Sequence, residues 1–413
     1  MHRESATHAE YRPIRDPLIP FAFVITISAG ANMSGPLSGL RVIEMGGLGA
    51  APYAAMLLAD MGADVVRVDR PNSAPADPQN YLMHRGRRSI IVDVRNPEGR
   101  DVVLKLAETA DVIIENLRPG LMERLGLGPA ECQARNPKIV FGRMTGWGQD
   151  GPLSQTAGHD INYIAVSGIL SCVARENERP VPPISFLGDF AGGGSFLVNG
   201  ILAALWETSR SGKGQVVDAA MLDGAAVMST MIHGFLLQGR WQDRAGVNFA
   251  DGGSNYYDTY VCKDGKYLAV GAIEGPFYDE LVALLGLDKT QLPHRGSAEN
   301  WPELKKRFAS VIATRTRDEW SDVFATSDAC VAPVMTLTEA PNHPHNKARS
   351  VFVENGGHVQ PAPAPRFDRT PSALHRTPPT PGADTVEILR ELGLSDESVD
   401  ALCASGAVVN VAN

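Results

Sequence analysis

The stretch Gly39 to Pro71, GLRVIEMGGLGAAPYAAMLLADMGADVVRVDRP, limits the fold of this chain more than any other. Leu40 to Met45 is an apolar run of strand length, Gly46, Gly47 and Gly49 mark a tight turn, and Pro52 suits a first helical turn. From Ala54 to Met61 the apolar residues follow helical spacing, and Val65 to Val68 read as a second strand. This is a βαβ opening, and it predicts a doubly wound parallel sheet. It also invites a dinucleotide reading, because Asp69 lies about 20 residues past the glycines, where a ribose-binding acid would sit. The text is GGLGAAP rather than GxGxxG, and Arg70 follows the acid. A tight βα turn with close helix packing is the simpler account.

A second α/β unit follows. RRSIIVDV (Arg87 to Val94) reads as a strand, NPEGRDVVLKLAETA as a helix and DVIIENL (Asp111 to Leu117) as another strand. Arginines recur around these strand ends: Arg70, Arg85, Arg87, Arg88, Arg95, Arg118 and Arg124. Ligands of open α/β sheets bind at the carboxyl ends of the strands, and guanidinium forks suit phosphate oxygens. The edge is therefore expected to hold a polyphosphate such as a nucleotide or coenzyme A, with some of the arginines serving only as solvated surface charge.

Composition narrows the partners. With 413 residues, 44% of them hydrophobic, the chain can bury more than one ordinary domain. A net charge of −9 argues against general nucleic-acid binding, so an anionic ligand must meet a local basic patch. Cys132, Cys172, Cys262, Cys330 and Cys403 are scattered without a CxxC pair or metal-ligand spacing. Reduced thiols in a cytoplasmic protein, and no metal, are the expectation. Leu18 to Ala31, LIPFAFVITISAGA, has the look of a signal core but is too short to span a bilayer. Residues 1–32 are read as a disordered or mis-started extension before a folded part that begins near Met33, with no membrane partner.

GHDINY (Gly158 to Tyr163) sets an imidazole beside a carboxylate. Together with ENLRPGLMERLGLGP, RMTGWGQDGP, GDFAGGG, GKGQVVDAAMLDG and YYDTYVCKDGKYLAVGAIE, it makes the chain from Met33 onward resemble the class III CoA-transferase superfamily and, within it, the α-methylacyl-CoA racemases. Transferases of that superfamily carry a nucleophilic Asp in a Gly-x-Asp segment, which matches Asp160; racemases have His at x, which is His159. The resemblance implies isomerase chemistry on a 2-methylacyl-CoA through an enolate. Inverting a carbon beside a thioester needs one acid/base group on each face. His159, titrating near neutrality, suits one role. Asp189 could be an ordinary helix cap, but the resemblance makes it the second base.

The remaining roles are also implied by the resemblance. Asp160 would orient or stabilise the imidazolium. Glu274, taken alone a loop carboxylate, would come from the neighbouring subunit of an interlocked homodimer. Acyl-CoA contacts would come from Arg70, Val92, Arg95, Asn116, Leu117, Arg118, Arg124, Gly158, Ile161, Asn162 and Tyr163. Backbone N–H groups near Gly158 to Asp160, or at a helix start from Asp189 to Gly194, could receive the enolate oxygen. No cofactor is implied, coenzyme A being part of the substrate. Two other readings stay open: a CoA-transferase with Asp160 as nucleophile, and a nucleotide-binding module without catalysis.

The expected organisation is a Rossmann-like large domain over 33–220, completed by 340–413, and a connecting helix and linker over 221–249. A small α/β domain over 250–335 and a Pro-rich linker over 361–382 follow. Met221 to Leu237 reads as one apolar helix, whose Met221, Met228 and Met231 suit a core or a greasy acyl group. His233 on it has no expected duty. Lys263-Asp264-Gly265 has hairpin-turn chemistry, Ser395 reads as a helix cap and Gly406 as a stop.

Overall fold

The computed structural model describes residues 34–71 and 82–411; the N-terminal extension considered above lies outside them. The βαβ opening forms as β1 (Arg41–Met45), α1 (Ala50–Asp60) and β2 (Asp64–Asp69). The strands run parallel, with Val42 opposite Val65 and Met45 opposite Val68. The helix begins at Ala50, with Pro52 in its first turn as expected, because Gly49 turns the chain at φ 72° and Ala50 and Ala51 are already buried. The second unit supplies β3 (Arg87–Val92), α2 (Pro97–Thr109) and β4 (Val112–Glu115). Asn96 caps α2 by accepting the Glu98 N–H, and Pro97 occupies the first helical position, where no N–H is needed. Two short helices, α3 (Leu121–Arg124) and α4 (Pro129–Arg135), lead to β5 (Val140–Thr145). Helix α5 (Asp160–Val166) and the long helix that contains α6 (Phe196–Ser211) precede β6 (Val216–Ala220).

These strands form one sheet in the order β3-β2-β1-β4-β5-β6, all parallel, with the short strand Val408–Val409 antiparallel beside β3. Alternate residues face opposite sides. Ile43, Val66 and Ile113 pack with α2 and the C-terminal helices Thr385–Glu391 and Asp396–Ala404, whereas Val42, Val65 and Val112 pack with α1 and α6. Burial of both faces explains why the strands read as nearly unbroken apolar runs. The order reverses at β1, which lies between β2 and β4, so a ligand crevice is expected where the loops after those strands diverge.

Helix α6 is entered without a break from a π-helical segment, Phe186–Ser195. Gly192, Gly193 and Gly194 lie inside this segment and let it touch its neighbours. A Cβ on Gly193 would meet Ala50, one on Gly194 would meet Tyr53, and one on Gly192 would meet the backbone of Ala225. The combined helix Phe186–Ser211 is long and apolar enough to cross a membrane, but here Leu197, Val198 and Ile201 bury it against the sheet. The apolar run from Met221 is two helices rather than the expected one: α7 (Met221–Met228) and α8 (Thr230–Leu237) are divided at Ser229. The Ser229 hydroxyl bonds back to the Ala226 carbonyl, a local alternative to continuing the helical ladder.

Residues 249–331 build a core of their own around a three-stranded antiparallel sheet, β7 (Tyr257–Val261), β8 (Tyr267–Gly271) and β9 (Val331–Pro333). The β7–β8 turn falls at Lys263-Asp264-Gly265 as expected, with Gly265 at φ 75°. Helices α9 (Gly275–Leu284), α10 (Trp301–Ile312) and α11 (Arg317–Phe324) pack on this sheet through Leu281, Phe308 and Trp320. Ser395 caps the last helix by accepting the Ser398 N–H at 3.3 Å, and Gly406, at φ 74°, follows its end.

Candidate active site

Strand β5 delivers the chain to a loop that ends at His159, the N-cap of α5. Tyr163 shapes this turn from one helical turn ahead: its hydroxyl donates to the Gly158 carbonyl, and its ring stands edge-on to Trp147 at 4.8 Å. Gly146 and Gly158 lack side chains because a Cβ on either would strike the Tyr163 ring. Asn162 closes the turn, its Oδ1 accepting the His159 N–H at 3.0 Å. The imidazole of His159 is exposed, whereas Asp160 is 5% exposed.

Asp160 performs a task that its place beside His159 did not suggest. Its Oδ2 accepts the N–H groups of Gly188 at 2.6 Å and Asp189 at 2.7 Å. It therefore caps, across 28 residues of chain, the helix that begins at Phe186. Gly188 is required there, since a Cβ would lie 2.6 Å from the same oxygen. The expectation that Asp160 acts through the imidazole thus meets a carboxylate directed instead at the backbone of Asp189. Its Oδ1 is buried without a hydrogen-bond partner among the described residues.

Asp189 is not the helix cap; Ser185 holds that position, and Asp189 lies in the first turn. Burial pushes the Asp189 carboxyl above the ordinary aspartate range, the charge of Asp160 pushes it further, and Ser185 and His159 partly offset the rise. Burial, and then the charge of Asp189, likewise push up the Tyr163 hydroxyl. The fold has brought His159, Asp160, Tyr163 and Asp189 within electrostatic reach of one another. Glu274 stands apart, exposed at the N-cap of α9, where its charge adds to the effect of burial in raising the Cys330 thiol.

A cleft of about 410 Å³ opens at the order reversal of the sheet, lined by Gly46, Gly47, Leu48, Arg67, Asp69, Arg70, Asn116 and Leu117. The turn that edges it also approaches the acid: a Cβ on Gly49, the residue after Leu48, would lie 3.4 Å from Asp189 Oδ2. Of the expected contacts, Arg70, Asn116 and Leu117 line the cleft, while Arg95, Arg118 and Arg124 are exposed near the same carboxyl edge. Ile161 and Asn162 are exposed on α5. Val92 is in the hydrophobic core at 1% exposure, and Tyr163, at 7%, holds Gly158.

The other arginines are internal. Arg85 pairs with Asp60, Arg87 with Glu44, and Arg88 with Asp64 and Glu391, so they brace the sheet rather than a phosphate. Asp69 is already engaged within the protein, since Arg67 Nε and Ser89 Oγ donate to its two oxygens at 2.9 and 2.7 Å. Sequence reasoning assigned no acyl-CoA contact to Gly46, Gly47, Leu48 or Arg67, which also line the cleft. Arg67 is held by Glu44 and Asp69 and bonds the Gly47 carbonyl. Gly47 itself leaves room for Asn116, whose amide a Cβ would overlap. Its signal was present in the glycine pair at 46 and 47, which was read only as a turn. Among the described residues no three His, Cys, Asp or Glu side chains are grouped to hold a metal.

A Rossmann-type sheet with His159, Asp160 and Asp189 gathered beyond its fifth strand and an arginine-edged cleft at its switch point has the layout of an enzyme of the α/β class. Residues 37–385 match CoA-transferase family III, and the chain belongs to this family. It is 44% identical over 365 residues to the α-methylacyl-CoA racemases of Mus musculus and Homo sapiens, a match that covers 88% of this chain and 95% of each relative. Among solved structures, a CAIB/BAIF family protein from Brucella suis superposes with a TM-score of 0.77 at 26% identity, covering 87% of this chain and 100% of that one.

Proposed function

We propose that this chain is an isomerase that interconverts (2R)- and (2S)-2-methylacyl-CoA thioesters, with His159 and Asp189 as the two bases. The carrying observation is the gathering of His159, Asp160 and Asp189 beside the Gly49 turn, where burial and Asp160 hold the Asp189 carboxyl above its usual range. An acid that must accept and return a proton in alternate turnovers works best with its pKa moved toward the operating pH. One base removes the α-proton, its C–H electron pair passes into an enolate, and the other base in its acid form delivers a proton to the opposite face. The Asp160 N–H, at the start of α5 and without a partner among the described residues, is suited to the enolate oxygen. The alternative donors expected from Asp189 to Gly194 are less suited. Asp160 occupies the N–H of Asp189, and Gly192 to Gly194 lie buried inside the helix.

In this reading coenzyme A lies in the cleft, with its phosphates toward Arg70, Arg95, Arg118 and Arg124. Glu274 reaches the His159–Asp160 site of a partner subunit in a homodimer. No cofactor besides the substrate's own coenzyme A takes part, and the five free thiols suit a cytoplasmic setting. CoA transfer through Asp160 is disfavoured, because a nucleophilic carboxylate must reach the thioester carbonyl, and one Asp160 oxygen is committed to two backbone N–H groups in a buried position. The test is incubation of one enantiomer of a 2-methylacyl-CoA in D₂O with no acceptor acid. Deuterium uptake with loss of configuration is expected. Turnover only when a second carboxylic acid is added would mean CoA transfer instead.

A further inference from the structure

Glu274 is an unusual residue with which to begin a helix. N-cap positions favour Ser, Thr, Asp, Asn or Gly, whose short side chains accept a backbone N–H or leave it to water. Glu274 holds the N-cap of α9 without using its carboxylate in this way, and the side chain is exposed. The direction in which that carboxylate is presented therefore depends on the backbone that carries it. On one side the Ile273 N–H donates to Gly271 O and the Gly271 N–H to Cys330 O, both at 2.9 Å, which ties the segment to the end of β8. On the other the Tyr278 N–H donates to Glu274 O at 3.0 Å as α9 begins.

The two peptide units between these anchors are held by one side chain. Arg295 Nη1 donates to Ala272 O at 3.3 Å and to Ile273 O at 3.0 Å. Its guanidinium lies 4.5 Å from the ring centre of Tyr278 and 5.1 Å from that of Tyr256, two buried rings that meet edge to face at 6.2 Å. Trp301 fixes the backbone of Arg295 in turn, its indole N–H donating to the Arg295 carbonyl at 2.7 Å while its ring stands edge-on to Tyr256. A guanidinium can bond carbonyls through its edge and lie on aromatic faces at once, which the point charge of an ammonium does less well.

We propose that Arg295 is a positioning residue for Glu274: by holding the carbonyls of Ala272 and Ile273, it sets where the exposed Glu274 carboxylate is presented. The proposal rests on the reading that Glu274 serves the His159–Asp160 site. It is tested with the full-length protein as E274Q, R295Q, R295K and the double variant E274Q/R295Q, by measuring kcat and KM for racemisation of a 2-methylacyl-CoA together with a thermal melt of each. E274Q and R295Q are each expected to lower kcat about ten-fold with KM changed less than about two-fold, R295K to fall between R295Q and wild type, and the double variant to be no slower than the slower single one. Losses that multiply in the double variant overturn the proposal, since Arg295 then acts independently of Glu274. A slow E274Q beside a wild-type R295Q overturns it while leaving the role of Glu274 intact. A wild-type E274Q removes that role and the proposal with it. If R295Q does not fold, R295K decides: a lowered kcat with an unchanged melt supports positioning, and a wild-type kcat overturns it.

Discussion

Asp160 and Glu274 both stand at the start of a helix, one at the carboxyl edge of the large sheet and the other at a corner of the small one, and they are held in opposite ways. Asp160 is buried, and its carboxylate is spent on the backbone of another helix. Glu274 is exposed, its carboxylate makes no cap bond, and a cation holds the two carbonyls that precede it. A buried carboxylate draws on the donors within its reach, and here its Oδ2 becomes a positioning device for the neighbouring helix. An exposed one can remain available for another surface, provided the main chain beneath it is rigid.

The largest effects should appear at the carboxyl edge. Asp189→Asn and His159→Ala should each lower the racemisation kcat by about 10² to 10⁴, the usual contribution of a general base. Each variant should retain α-hydrogen exchange for only one enantiomer, and opposite ones, as followed by deuterium uptake from each pure enantiomer. Equal exchange of both enantiomers by His159→Ala would break the two-base assignment.

Asp160→Ala strips an acceptor from two N–H groups and should cost about 1–3 kcal/mol of stability in urea unfolding, with slower turnover because Asp189 loses its anchor. Asp160→Asn retains a carbonyl oxygen and should cost less. Equal losses for the two variants would show that capping is not what the residue contributes. At the cleft, Arg118→Ala should raise KM for acyl-CoA about ten-fold or more with kcat preserved, as expected when a charge-assisted bond of roughly 1.5–3 kcal/mol is removed. An unchanged KM would take Arg118 out of the coenzyme A site.

The smallest effect contrasts the two regions by stability alone. The folded Asp189 carboxyl has its pKa raised above the unfolded value, chiefly by burial, so the folded chain binds that proton more tightly. This favours folding at low pH, and the advantage is lost as pH rises through the folded value; at neutral pH the buried charge opposes folding. Asp189→Asn should therefore melt higher than wild type at neutral pH, and the gap should close below about pH 4, where an ordinary Asp is also protonated. Glu274→Gln should shift stability by less than about 0.5 kcal/mol at any pH, as a change on an exposed side chain does. A neutral-pH gain from Glu274→Gln as large as that from Asp189→Asn would erase the contrast.

Much of the architecture was legible in local patterns. The run from Leu40 to Val68 specifies strand, turn, helix and strand, and Lys263-Asp264-Gly265 and Ser395 act as their chemistry implies. The proximity of His159 to Asp160 is covalent and needs no fold. These features follow from periodicity, turn propensity and capping, which operate over a few residues and so are written in the order of the chain. Three others were decided only by tertiary contacts. Arg85 and Arg87 face buried acids and Arg88 pairs with Asp64 and Glu391, while Arg118 and Arg124 face solvent, although all five are the same residue type near predicted strand ends. Gly192 to Gly194, expected at a helix start, serve the approach of α1 and α7 to the π-helical segment. Asp160 reaches the backbone of Asp189, from which 28 intervening residues separate it in the chain, and not the imidazole next to it. Burial and hydrogen-bond pairing between distant residues depend on which surfaces meet when the sheet and its helices close together, and that geometry has no expression in the spacing of neighbours.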